Sequence, residues 1–306
     1  MAAKTKGVVG VVGLGIMGGA FARNLKKAGW RVIGYDIDAK RRREAGKAGV
    51  EIAGDVAEVA RIAPVIITSL PNPQALDATV RAIAATKPAH RVVVVEAGTF
   101  SLADKTNAER ILRKAGHSAL DCPVSGTGAQ AANKDLVIYA SGDKKTIAKL
   151  GPLFSGFSRK VHDVGVYGNG SRMKYVANLL VAIHNVASAE AFVLGMKAGL
   201  DPKVIFDLVS AGAGNSRIFE LRGPMMAKNN YDAATMKIST WQKDMAVIGE
   251  FAQQLGAPTP LFSATLPIYA SAMATGHGAQ DTAAVCAVLE DMAGLKRGRR
   301  RSGARR

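Results

Sequence analysis

Glycine crowds the first twenty residues, and three of these glycines stand at a spacing that can hold a diphosphate: Gly13-Leu14-Gly15-Ile16-Met17-Gly18, a G-x-G-x-x-G. In such a run the first glycine permits a tight turn and the second lets the backbone approach a pyrophosphate. The third lets a helix pack closely on a strand, and the helix N-terminus presents unpaired N–H groups to the phosphates. A carboxylate, Asp36, closes the next apolar run. There it can accept hydrogen bonds from the adenosine ribose hydroxyls and repel a 2′-phosphate. Ile37 and Asp38 follow it instead of an arginine, so the pattern points to NAD over NADP. Arg41, Arg42 and Arg43 are the nearby cations that pull the other way.

These residues need strands and helices to position them, and the chain supplies both in alternation. Val8-Val9-Gly10-Val11-Val12 is a continuous apolar run, as expected for a strand buried on both faces. A helical pattern through Ala20, Phe21, Asn24 and Leu25 ends near Gly29, and residues 30–35 form a second strand. Further strands are expected at 65–68, ending in Leu70-Pro71-Asn72-Pro73, and at 91–95, ending in Glu96-Ala97-Gly98-Thr99. Residues 117–121 and 136–141 complete the set. The fold class is therefore an α/β Rossmann domain, a doubly wound and mostly parallel sheet with ligand at the C-terminal strand ends. Leu70, Pro71, Asn72 and Thr99 stand at such ends and are expected to contact the cofactor.

Past Gly165 the pattern turns helical. Residues 171–198 read as one long helix, apolar on nearly all sides, and so expected to lie deep between domains or subunits. Shorter helical patterns cover 204–209, 242–255, 261–274 and 282–293, with Pro258 and Pro260 separating two of them. The expected organisation is a Rossmann NAD-binding domain over 1–165, an all-α substrate and oligomerisation domain over 166–295, and a basic disordered tail over 296–306. The cleft between the domains is the expected active site.

Composition narrows the class. Hydrophobic residues make up 48% of 306, which excludes a globally disordered chain. Cys122 and Cys286 are too far apart for a disulfide framework and read as ordinary thiols in a reducing cytoplasm. No histidine stands in a metal-ligand spacing, so no metal is expected. The net charge of +17 is unevenly placed: residues 296–306 hold seven cations and no acid. A basic body suits an anionic substrate and cofactor. The tail reads as solubilising, with nucleic-acid contact only through it. The apolar run over residues 7–21 superficially resembles a leader, but its glycines break it, and no other stretch is expected to span a membrane.

Four ordered motifs carry a family resemblance. The first is the Gly13–Gly18 run with Ala22, Asn24 and Leu25 behind it. The second is Asp121-Cys122-Pro123-Val124-Ser125-Gly126-Thr127. The third is Gly168-Asn169-Gly170-Ser171-Arg172-Met173-Lys174, with Asn178 one turn later, and the fourth is Lys243-Asp244. Over roughly residues 7 to 295 the chain resembles the β-hydroxyacid dehydrogenases, which include 3-hydroxyisobutyrate and tartronate semialdehyde enzymes. The resemblance implies an NAD(P)-dependent dehydrogenase acting on CH–OH groups, with Lys174 as general acid and base. Burial or a nearby cation such as Arg172 can lower a lysine pKa towards the working pH. Asn178 would bond the substrate hydroxyl or orient the lysine, from the same helix face. Ser125, Gly126 and Thr127 would hold a substrate carboxylate, and Lys243 would approach the cofactor.

Thr127, Cys122 and Ala177 depart from the family's usual Gly, Ala and Asn, and bear on the substrate more than the reaction. A narrower likeness, to the L-threonate dehydrogenase branch, lies in the segment from Gly214 to Pro224 and in Asp281-Thr282-Ala283-Ala284-Val285. It assigns Asn215, Ser216 and Arg217 to the far end of the pocket and implies a small, polar anionic hydroxy acid. Likeness to the family also implies a homodimer or homotetramer. Three rivals fit less well. A decarboxylase like 6-phosphogluconate dehydrogenase has a Glu where this chain has Val181. Imine reductases usually lack the lysine. A non-catalytic nucleotide-binding relative with a nucleic-acid-contacting tail would have lost it.

Overall fold

The β-branched runs pair side by side in one six-stranded sheet: β1 (Val8–Val12), β2 (Arg31–Tyr35), β3 (Glu51–Ile52), β4 (Val65–Thr68), β5 (Val93–Glu96) and β6 (Ser118–Asp121). Every pairing is parallel and the order is β3-β2-β1-β4-β5-β6. The structure, a computed structural model, describes residues 5–297. The connecting helices are α1 (Ile16–Lys27), α2 (Ala39–Lys47), α3 (Val56–Ile62), α4 (Pro73–Ala85) and α5 (Leu102–Lys114). Successive strand residues point to opposite faces, and both faces are covered. Val9, Val11, Ile67 and Val95 pack with Phe21 and Leu25 of α1. Val12, Ile66 and Val94 pack with Val59, Val80, Ile83 and Leu112 of α3, α4 and α5. The order reverses between β1 and β4, which places the crevice of a doubly wound sheet beyond Val12 and Thr68.

One strand lies elsewhere than the sequence pattern implies. β8 (Val137–Ala140) belongs to a separate three-stranded sheet, antiparallel to β7 (Val124–Ser125) and parallel to β9 (Lys160–Asp163). The break follows Asp121, where Pro123 has no N–H with which to continue a ladder. Three short helices, α6 (Gly128–Ala132), α7 (Lys144–Lys149) and α8 (Gly151–Phe154), complete this region.

The long helix α9 spans Asn169–Lys197, and the chain divides into two compact units within it, between Ala177 and Asn178. The composition changes earlier, near Gly165. The second unit adds α10 (Pro202–Ser210), α11 (Arg217–Lys228), α12 (Ile238–Gln254), α13 (Pro260–Ala274) and α14 (Val285–Met292). Helix α11 is not among the helical patterns read from the sequence, and it runs through Gly223-Pro224, a pair that disfavours helix. Packing overrides that preference: Phe219 stacks between Phe192 and Phe206 at 5.4 and 5.8 Å.

In the single chain, helix α9 leaves Leu180 46% and Leu194 74% exposed. It is also long and apolar enough, by length and composition alone, to cross a membrane. A core helix of a water-soluble fold passes the same test, and α9 carries a fully buried Asn185 whose amide donates to the Tyr269 hydroxyl and the Thr282 carbonyl. Arg297, placed by sequence in the basic tail, packs on the second unit instead: Nε donates to Glu290 Oε2 at 3.0 Å and Nη1 to the Ala227 carbonyl at 3.1 Å. The rest of that tail, 298–306, lies outside the described residues.

Candidate active site

The turn after β1 is built so that only glycine fits at two of its positions. Gly13 has φ +88°, and a Cβ there would lie 2.2 Å from the Ser69 carbonyl oxygen. A Cβ on Gly18 would lie 1.9 Å from the Gly13 carbonyl oxygen. Gly15 differs: a Cβ there would meet only the tip of the Arg41 side chain. Gly15 is also the N-cap of α1 and brings no side-chain cap, whereas α2, α3, α4 and α5 are capped by Asp38, Asp55, Asn72 and Ser101. The first-turn N–H groups of α1 are thus left for an incoming group, which fits the diphosphate of a dinucleotide.

Asp36 fastens this turn. Its buried carboxylate accepts from Leu14 N at 2.7 Å and from Asp38 N at 2.8 Å. Arg41 Nη1 stands 3.6 Å from Oδ2, and Arg42 Nη1 donates to the Asp36 carbonyl. The Leu14 side chain is in the core, Met17 packs against it, and Ile16 is exposed. Leu70 flanks Gly13, Pro71 is exposed, and Asn72 serves the backbone N–H of Ala75 at the start of α4. Thr99 is half-buried after Gly98, whose N–H donates to Glu96 Oε1 at 2.7 Å.

The loop expected to hold the substrate leaves β6 at Asp121. Gly126 has φ +138°, and Ser125 is half-buried. Thr127 also caps α6 in a capping box with Gln130, its hydroxyl facing Gln130 N and its own N–H donating to Gln130 Oε1 at 3.0 Å. Ser125 and the Gly126 backbone offer donors for a carboxylate. Lys174 is half-buried in the second turn of α9. Arg172 is exposed and donates to Asn169 Oδ1 at 2.9 Å.

Under this region lies a charged cluster whose lysine the motifs do not include. Lys105 of α5 is fully buried, and its Nζ is 2.6 Å from both Glu96 Oε2 and Asp121 Oδ1. Burial alone pushes the ammonium pKa down, but the charges of Asp121 and Glu96 more than reverse this, so it is raised. Asp121 also accepts from Ser171 N at 2.8 Å and from Ser171 Oγ at 2.9 Å. Burial, with the Asp121 charge beside it, holds the Cys122 thiol well above its usual pKa, so Cys122 is a packed thiol and not a nucleophile. One sequence signal could have found Lys105: it shares the apolar stripe of α5 with Ala108 and Leu112.

In the second unit, Asn178 Nδ2 donates to Asp244 Oδ2 at 2.9 Å, and Lys243 Nζ donates to Asp244 Oδ1 at 2.8 Å. A carboxylate only accepts, so this contact fixes the amide orientation and leaves Asn178 Oδ1 as an acceptor. Asp244 has the same signal as Lys105, on a stripe with Trp241, Met245 and Ile248. Asn215, Ser216 and Arg217 gather at the start of α11. Asn215 donates to Ser210 O and Glu220 Oε1, Ser216 caps Phe219 N, and Arg217 pairs with Glu220 at 2.8 Å. Among the described residues no group of three or more His, Cys, Asp or Glu is placed to hold a metal.

Comparison with known proteins agrees with this fold. Residues 8–165 match the family model of the NAD binding domain of 6-phosphogluconate dehydrogenase. Residues 168–289 match the model described as NAD-binding of NADP-dependent 3-hydroxyisobutyrate dehydrogenase. The L-threonate dehydrogenase of Cupriavidus necator is 30% identical, covering 92% of this chain and 95% of the relative. That of Escherichia coli O6:H1 is 32% identical, covering 92% and 94%. The solved structure of Mycobacterium tuberculosis 3-hydroxyisobutyrate dehydrogenase with L-serine superposes with a TM-score of 0.83 at 28% identity, covering 92% and 98%. Fold and comparisons together define an NAD(P)-dependent oxidoreductase acting on CH–OH groups. Within that class the chain belongs to the β-hydroxyacid dehydrogenase family of 3-hydroxyisobutyrate dehydrogenase-like enzymes.

Proposed function

We propose that this enzyme oxidises a small, threonate-like or 3-hydroxyisobutyrate-like acid with NAD, and that Lys174 takes the hydroxyl proton and returns it in reduction. The observation that carries this reading is the anchoring of the Lys174 helix start beside the substrate loop. Ser171, three residues before Lys174, hangs on Asp121, the residue from which that loop departs. Bound NAD supplies the hydride acceptor. The α1 N-terminus and the Gly13–Gly18 run hold its diphosphate, with Leu70, Pro71, Asn72 and Thr99 along it. Asp36 favours a ribose with free hydroxyls over one bearing a 2′-phosphate.

Ser125, Gly126 and Thr127 take the substrate carboxylate. Asn178 Oδ1 accepts from the substrate hydroxyl or from the Lys174 ammonium, and Lys243 serves the cofactor. Asn215, Ser216 and Arg217 set the far limit of the substrate. The relatives that act on L-threonate support the substrate class. We assign the active form to a cytoplasmic homodimer or homotetramer.

The test is NADH formation against threonate, erythronate, glycerate, 3-hydroxyisobutyrate, 3-hydroxypropionate and phenylserine, with NAD and NADP in parallel. The expected result is turnover that prefers NAD. Lys174→Ala should lose roughly 10²–10⁴-fold in kcat, the usual worth of a general acid or base, while still binding NADH. Full turnover by Lys174→Ala would remove the lysine from the mechanism.

A further inference from the structure

Lys105 is the one lysine among the described residues that is fully buried. A buried ionic cluster adds little net stability compared with apolar residues of similar size, because desolvation offsets attraction. What such a cluster can supply is fixed geometry, and here it sits where several functional segments begin. Glu96 and Asp121 are register partners at the C-terminal ends of β5 and β6, and the Lys105 ammonium joins them. Glu96 Oε1 holds the N–H of Gly98, next to Thr99. The backbone of Asp121 pairs with Ser141, and Ser141 Oγ accepts from Gly170 N at 3.0 Å. Asp121 takes both the N–H and the hydroxyl of Ser171. Tyr167 Oη reaches the Lys105 carbonyl, and Tyr175 Oη the Phe100 carbonyl.

One ammonium against two carboxylates leaves a single negative charge, and the first turn of α9 receives it. A helix N-terminus favours an anion there. Helix α9 is therefore capped by a side chain fifty residues away in sequence, and a capping side chain normally comes from the residue just before its helix.

We propose that Lys105, Glu96 and Asp121 are positioning residues of the dehydrogenase site, tying residues 122–127 and the start of α9 into one body. None of the three is assigned to touch substrate or cofactor. The effect on turnover rests on the Lys174 reading; the tether itself does not.

Two variants test it. Ser171→Ala removes one bond to Asp121. Lys105→Met with Glu96→Gln removes the bridge while keeping one net negative charge, so the fold is not asked to bury two bare carboxylates. Amide hydrogen exchange is read on peptides covering 122–127 and 168–175, with NADH affinity, kcat and KM beside it. Exchange in both segments should rise about tenfold or more as local opening becomes easier, with peptides of the Gly13–Gly18 turn unchanged. On any substrate turned over by the wild type, kcat should fall about tenfold to a hundredfold through misplacement of Lys174, with NADH affinity and the KM for NAD unchanged. Exchange that stays at the wild-type rate in either segment, or that rises evenly across the unit, overturns the tether whether or not a substrate is in hand. A wild type silent on every substrate, with the exchange result as expected, counts instead against the Lys174 reading.

Discussion

Asp36 carries two tasks at once, and this changes what its removal should do. Its oxygens already serve Leu14 N and Asp38 N, and a ribose hydroxyl would use remaining lone pairs of the same carboxylate. Asp36→Ala should therefore shift preference towards NADP and also loosen the glycine turn. The expected stability loss is about 1–3 kcal/mol, from leaving the buried Leu14 N–H without an acceptor. Kinetics with both cofactors, beside a urea melt, check this. A preference for NAD unchanged from wild type would mean that the carboxylate does not read the ribose. At this scale, what was legible in the sequence was what is local. Gly13, Gly18 and Asp36 answer to a turn and its neighbouring strand, so spacing alone reveals them. The pairing of Lys105 was not legible, because its partners come from two strands on either side of it in the chain, although its place on the apolar stripe of α5 was. Thr127 is an intermediate case: the resemblance assigns it to substrate, while its T-x-x-Q spacing with Gln130 is itself a helix-start signal, and the structure shows that cap.

The junction of α5 with β5 and β6 gives a pH prediction. The Lys105 pKa is raised above the ordinary lysine value, so its contribution to stability is fully present below that value and is lost only as pH rises through the higher folded value. Lys105 should thus add no pH dependence to wild-type stability between about pH 6 and pH 9, because its contribution is fully present throughout that range. Lys105→Met should behave differently. Two carboxylates facing each other in an apolar interior hold a proton, which raises a folded-state pKa above the unfolded value of about 4. Stability of the variant should then fall as pH rises through that folded pKa, and a second substitution, Glu96→Gln, should flatten the curve. Melting temperatures of the three proteins across pH decide it; a Lys105→Met curve parallel to wild type would show that the carboxylates ionise without the cation. The elements themselves were legible where burial leaves a pattern. β1, β4 and β5 are β-branched runs covered on both faces, whereas β3 is two exposed residues that pair only because β2 is there. Strand content also cannot say which sheet a strand joins, which is why β8 was read into the wrong one. Helix α11 runs through Gly223-Pro224, whose cost is met by tertiary stacking that no local window contains.

Across the whole molecule, charge and chain ends are the features that sequence describes by sum and structure describes by place. The excess of cations looks like a property of a terminal tail, yet Arg297 is folded onto the second unit. Its guanidinium pairs with Glu290, a carboxylate whose side chain is 7% exposed and which also faces the Cys286 thiol. With the Glu290 side chain itself taken out of water, loss of this partner leaves a buried negative charge, which is costlier than loss of a surface pair. A chain ending at Leu295 should therefore lose about 1–3 kcal/mol relative to one ending at Arg297, most of it from the desolvated carboxylate. Glu290→Gln in the shorter chain should return part of the loss, because a neutral amide no longer needs a cation. In the longer chain the same substitution should instead destabilise, since it removes the charge that Arg297 pairs with. Urea unfolding of the four proteins reads the coupling directly. Equal stability of the two chain lengths, or a Glu290→Gln effect of the same sign in both, would return Arg297 to the solvated tail in which composition placed it.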